Sequence, residues 1–352
     1  MKTRSVCNLI ILIVCWSTCV NHIWADVSEL RYGSYKISHE LTLPGSPQSL
    51  YDAITGDISG WWDHTFSDSP LRFYIEAKPG GGFYEIFDEE GNGVLHATVI
   101  VADRGKLLRF DGPLGLSGRA VKIVHTYTFS PVGTDSTRIT LSVHMSGEID
   151  EDLAKIVDQV WTHFLFERFK PFIEEGKHLL IPFEENNKWG YKNKTGRIII
   201  EAKFQVANPF NRYGIATVVD DHGWVYINRN GEYLLRPYVI DNGPDYISEG
   251  LIRFVVNRKI GFMNEYGVQV IPATFDFVSP FSEGLAAFCT GCSEIAQGEY
   301  HRFDGGKWGY INKTGEIVVA PEYDSAGSFK DGKAEVVKGE EVIILIREDV
   351  KE

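Results

Sequence analysis

Four segments in the carboxy-terminal half of the chain share one pattern. They are Trp189-Gly190-Tyr191 leading to Asn193 and Gly196, Trp224-Val225-Tyr226 leading to Asn228 and Gly231, Ile260-Gly261-Phe262 leading to Asn264 and Gly267, and Trp308-Gly309-Tyr310 leading to Asn312 and Gly315. Their starts lie 35, 36 and 48 positions apart, and Gly214, Gly250, Gly284 and Gly332 follow those starts by 25, 26, 24 and 24 residues. Self-similarity at such a period implies stacked units, because one short unit cannot bury its own apolar face and must lean on the next. Aromatic residues two apart share one face of a strand. Asn-x-x-Gly supplies a tight turn with glycine at the left-handed position. Each unit is therefore expected to be about three short strands, with Ala334–Val337 and Val342–Ile346 as a closing half-unit.

The 352 residues exceed what one hydrophobic core usually organises. Residues 1–25 are expected to be a cleaved secretory signal: Lys2 and Arg4 precede the aliphatic run Leu9–Val14, and Ala25 offers a small residue at the cleavage point. That run is too short for a membrane span, so no transmembrane segment is expected after cleavage and the protein is expected to be exported. Lys2 and Arg4 are the only charged residues removed, leaving 33 basic against 48 acidic residues, a formal −15. Nucleic acid, which needs clustered Lys and Arg, is an unlikely partner for such a chain. Cys7, Cys15 and Cys19 lie in the leader, so the mature fold keeps only Cys289 and Cys292, a candidate local disulfide or loop clip and not a disulfide scaffold.

Between leader and repeats, turn signals at Pro79-Gly80-Gly81, Glu90-Gly91-Asn92 and Val132-Gly133-Thr134 separate runs that read as strands. The predicted order is a strand over 34–43, a short helix led by Pro47, strands over 72–77, 82–87, 93–102, 106–111, 121–130 and 137–145, then a helix over 151–176. Ile156, Val157, Val160, Trp161, Phe164, Leu165, Phe169 and Phe172 give that helix a broad apolar face, with Pro171 expected to kink it. The only partner long enough to cover it is a twisted antiparallel sheet.

Ile58-Ser59-Gly60-Trp61-Trp62, Pro79-Gly80-Gly81-Gly82-Phe83-Tyr84-Glu85, Leu107-Leu108-Arg109-Phe110 and Thr140-Leu141-Ser142-Val143-His144 occur in that order. With these motifs, residues 35–178 resemble the SRPBCC superfamily of START lipid-transfer domains, birch-pollen-allergen-like proteins and polyketide cyclases. The branch they look most like is the one named after activators of the heat-shock-90 ATPase. Residues 179–346 resemble the WG, or KWG, repeat family. The resemblances imply an α+β helix-grip domain, an antiparallel sheet wrapped on a long carboxy-terminal helix, followed by an all-β repeat array, solenoid or propeller-like. They also imply a hollow between sheet and helix that takes a small hydrophobic ligand. Co-chaperone activity, implied by the branch name alone, conflicts with an export signal.

Trp61, Trp62, Phe73, Phe83, Phe87, Phe110, Trp161 and Phe164 are the candidates to line such a hollow, and they could equally fill it. Asp63, His64, His96, His125, His144 and His163 are the polar candidates. No histidine pair has metal-ligand spacing, and no nucleophile motif occurs. Gly80-Gly81-Gly82 precedes a strand and not a helix, which makes it a turn and not a phosphate cradle. No metal, cofactor or catalytic residue is assigned. The expected function is non-catalytic capture of a hydrophobic molecule, with the repeats meeting a protein or glycan partner. A cyclase- or hydrolase-like enzyme and a purely structural envelope protein are the alternatives.

Overall fold

The structure is a computed structural model describing residues 30–297 and 300–350. Residues 1–25, expected from the sequence to be a signal and carrying Cys7, Cys15 and Cys19, lie outside the described residues. From Tyr32 onward the chain forms one compact unit.

Eight strands make one antiparallel sheet: β1 (Gly33–Pro44), β2 (Gly56–Asp57), β3 (Arg72–Ile75), β4 (Gly82–Ile86), β5 (Gly93–Asp103), β6 (Leu107–Asp111), β7 (Val121–Val132) and β8 (Ser136–Gly147). The spatial order is β1-β8-β7-β6-β5-β4-β3-β2. Every neighbour apart from β1 and β8 is consecutive in sequence, the meander that short turns dictate. Helix α1 (Pro47–Ile54) follows β1, with Ser46 as its N-cap. Along β8, Ile139, Leu141, Val143 and Met145 face inward while His144 faces out.

Helix α2 (Glu151–Thr162) is capped by the Asp150 carboxylate, which accepts from the Leu153 amide. It continues as a π-helical segment, His163–Phe169, and a last helical stretch, Lys170–Glu174. The irregularity expected at Pro171 therefore comes before it. Lys170 N–H donates to Leu165 O, five residues back, and the ring that has no N–H to give follows directly. The wide turns also explain why the buried positions Phe164, Leu165, Phe169, Phe172 and Ile173 depart from strict α spacing. Ile156, expected on the apolar face, is exposed. The helix crosses the concave face of the sheet, which is the helix-grip arrangement, and one large core joins the two layers.

The second half is all β. It forms small antiparallel sheets whose apolar clusters follow one another along the chain, each cluster drawing on successive units. The Asn-x-x-Gly turns recur in all four units. Asn193 Oδ1 accepts from the Thr195 and Arg197 amides at 3.1 and 2.9 Å, and Asn228, Asn264 and Asn312 repeat the arrangement. Units are also latched to each other. Ser248 Oγ donates to Phe281 O and the Glu249 carboxylate accepts from Gly284 N; one unit later Ser282 bonds Phe329 O and Glu283 accepts from Gly332 N.

The glycine of the Trp-Gly pair has a steric cause. A Cβ at Gly190, Gly261 or Gly309 would lie 2.3–2.5 Å from a carbonyl oxygen of the returning strand (Ile200, Ile271 or Val319). The second unit carries Val225 instead, and there the returning strand is reduced to an isolated bridge between Ile227 and Tyr233. An apolar side chain in place of the glycine is thus not neutral to the architecture. Ile260 in place of Trp is tolerated, since its unit keeps all three strands. Cys289 and Cys292 are disulfide-bonded, and they sit in a strand (Ala286–Gln297) of the long hairpin that precedes and includes the fourth Trp-Gly pair, not in a loop.

Candidate functional site

Between α2 and the sheet lies a cavity of about 500 Å³. Its floor is Ile123 and His125 on β7 and His96 on β5. Leu153, Val157, Val160, Trp161 and Phe164 of the helix roof it, and Thr65–Phe66 and Pro113–Leu116 close its sides.

His125 faces inward by simple alternation, between the buried Ile123 and Tyr127. His96 does not. Phe83 pairs with Ala97 and Tyr84 with Leu95, so His96 is the extra residue of a β-bulge. Strict alternation from the inward Ala97 and Val99 would bury Leu95; the bulge reverses the phase, burying His96 and exposing Leu95.

Glu85 is fully buried on β4, on the same face as Phe83. Its carboxylate accepts from Phe66 N at 2.8 and 3.0 Å, from Ser67 N at 2.8 Å and from His96 Nε2 at 3.0 Å. A buried carboxylate persists only with such a set of donors. Because it accepts, His96 Nε2 must donate, leaving Nδ1 as the acceptor. Burial pulls the His96 pKa down, and the Glu85 bond opposes it. His125 is also buried; desolvation pushes its pKa down to about 3, so it is neutral, and its Nδ1 has no hydrogen-bond partner among the described residues. The wall is therefore apolar except for neutral imidazoles held in place by packing, with the Phe110 ring stacked on His125 at 4.8 Å.

At the mouth, His163 Nε2 lies 3.0 Å from both Asp63 oxygens and its Nδ1 lies 2.9 Å from Glu167, whose bond leads in raising the His163 pKa, followed by that of Asp63. Asp63, His64 and His163 bring potential metal-ligand atoms within 4.8 Å of one another. Arg168 also pairs with Asp63 at 3.1 Å, so the group already functions as an ion-pair latch between helix and loop.

Of the aromatic candidates, Trp62, Trp161 and Phe164 line the cavity. Trp61, Phe73, Phe83 and Phe110 instead fill the core, where their rings pack edge-on, tilted or stacked against neighbours, and Phe87 lies half-buried beyond the end of β4. Of the polar candidates, His64, His96 and His125 line the cavity, Asp63 and His163 sit beside its mouth, and His144 is removed to the outer face of the sheet by alternation. Glu85, Phe66 and Pro113–Leu116 were not among the candidates. The spacing Phe83-x-Glu85, which puts a carboxylate on an apolar face, is the signal that could have singled out Glu85.

Residues 189–224, 260–291 and 308–341 match the family described as WG containing repeat. The carboxy-terminal half is a WG-repeat array. The second WG unit, apart from its first residue, falls outside these matches, in keeping with Val225 and the missing strand. The helix-grip part is similar to solved structures. Protein MLL2253 from Mesorhizobium loti is 18% identical, over 40% of this chain and 97% of its own, with a TM-score of 0.30. Truncated norcoclaurine synthase from Thalictrum flavum is 16% identical, over 42% and 96%, at 0.29. The Aha1 dimer from Colwellia psychrerythraea is 19% identical, over 40% and 96%, at 0.28. No curated protein sequence matches the chain. No helix among the described residues is long and apolar enough to cross a membrane.

Proposed function

We propose that this is an exported binding protein whose helix-grip cavity captures a small hydrophobic molecule carrying one hydroxyl group. The observation that carries this reading is the buried, unpartnered His125 Nδ1 in the wall of a mainly apolar hollow. An unpaired buried polar group costs about 1–3 kcal/mol, which a guest hydroxyl, able to donate or accept, would recover. The cavity volume lies in the range of small-molecule sites. The WG array acts as a rigid support and offers its surface to a protein or glycan partner. Export is supported by the apolar leader and by the Cys289–Cys292 disulfide.

The test is titration with naphthalene and 2-naphthol, together with native mass spectrometry of protein purified from its own host. A bound small molecule and at least a tenfold preference for the naphthol, abolished in His125→Leu, are expected. Consistently empty protein that takes up neither compound would sink the reading.

One observation favours a second reading, proton transfer in the same cavity: the Glu85–His96 pair fixes a neutral imidazole with its Nδ1 as acceptor. Catalysed deuterium exchange of a bound ketone, lost in His96→Gln, is its signature.

A further inference from the structure

A separate pocket of about 270 Å³ lies where the helix-grip sheet, the connector after the long helix and the first two WG units meet. Arg229 and His178, each 8% exposed, both line it. Arg229 Nε and Nη1 and both ring nitrogens of His178 have no hydrogen-bond partner among the described residues, and neither does Ser49 Oγ in the same wall. Buried polar groups are almost always paired, so five orphan atoms around one pocket mark a missing polar occupant.

The charge of that occupant follows from its surroundings. Arg229 makes no direct ion pair among the described residues; Asp57 and, less, Asp52 act on it only from beyond contact distance, and a buried guanidinium without a contacting partner is unfavourable. Gly214 admits it: a Cβ there would stand 2.5 Å from Arg229 Nη1. Arg212 adds a second, exposed guanidinium at the rim. The one acid in the wall, Asp52, is already bound by Arg104 Nε and Nη2 at 2.8 and 2.5 Å. The amino end of α1 opens on the same space through Ser46 and Ser49, adding its partial positive charge. A chain with a formal charge of −13 thus gathers three guanidinium groups, Arg104, Arg212 and Arg229, at one junction.

We infer that this junction pocket binds a small phosphate-type oxyanion, free or as the head of a phosphomonoester, with Arg229 as the buried anchor and Arg212 as the rim contact. The anion would cross-link the two halves, since its ligands come from both. The test is calorimetric titration of the whole protein with inorganic phosphate and, separately, with glycerol phosphate at constant ionic strength. One saturable site is expected for either ligand or both, the pattern distinguishing free phosphate from an esterified source. Arg229→Gln should weaken it at least tenfold and Arg212→Ala at least threefold, while His125→Leu, in the other cavity, leaves it unchanged. Should Arg229→Gln fail to fold, the exposed Arg212→Ala decides alone. Absence of saturable binding by folded protein, or binding as tight in these arginine variants as in the parent, overturns the inference.

Discussion

His125 and His178 are imidazoles whose burial keeps them neutral, with pKa values pushed down to about 3 and about 4. Unfolded, each would take a proton near pH 6.5. As pH falls through the window from there to the folded values, the unfolded state holds the extra protons and stability drops. The slope for His125 is about 1.4 kcal/mol per pH unit, roughly 2 kcal/mol between pH 6.5 and 5. Urea unfolding across that range should show the loss, and His125→Leu should flatten it while leaving the pH 7 protein at least as stable. Glu85 has the opposite character, since its carboxylate satisfies four contacts at once. Glu85→Gln brings an amide N–H₂ among donors and should cost about 3 kcal/mol, read as a lower melting temperature together with faster hydrogen exchange at the Phe66 and Ser67 amides.

At the level of elements, the WG strand and its returning partner touch so closely that only glycine fits. Gly309→Val should therefore convert the fourth unit to the irregular form of the second. A loss of about 2 kcal/mol or more and deprotection of the amides in Ile317–Tyr323 are expected from hydrogen exchange. The helix over the cavity can be probed by filling it. Val157 is half-buried and faces the hollow; Val157→Phe should abolish probe uptake yet leave the melting temperature within a few degrees. A large loss of stability instead would mean that the hollow is not available space.

Taken as a whole, the molecule is held together by backbone and side-chain contacts between its halves. Asp57 N donates to Tyr213 O at 2.9 Å, Arg72 Nε reaches Gly267 O at 3.3 Å, and Tyr74 packs on Tyr266 with ring centres 5.4 Å apart. Gly56 has φ +68°, and a Cβ there would lie 2.6 Å from Tyr213 O. Scanning calorimetry should give one cooperative transition for the parent protein. Gly56→Val should split it into two, the helix-grip and repeat parts melting separately; a single unshifted transition in that variant would show that the contact carries no coupling.

Local pattern determined most of the architecture. Strand order, the long helix, the Asn-x-x-Gly turns and the repeat phase were all legible, because alternation, helical spacing and turn chemistry act between residues near in sequence. On β7 and β8 alternation runs unbroken but leaves its phase open, and of the two histidine candidates there His125 lies inward and His144 on the outer face. The site was legible only in part. A single bulge decides that His96 and not Leu95 faces the cavity, and the identity of the Glu85 donors depends on a loop 18 and 19 residues away. Which aromatic rings plug the core and which leave space depends on how far helix and sheet stand apart. The junction pocket gathers Ser49, His178 and Arg229 from distant parts of the chain, and no local spacing records that meeting.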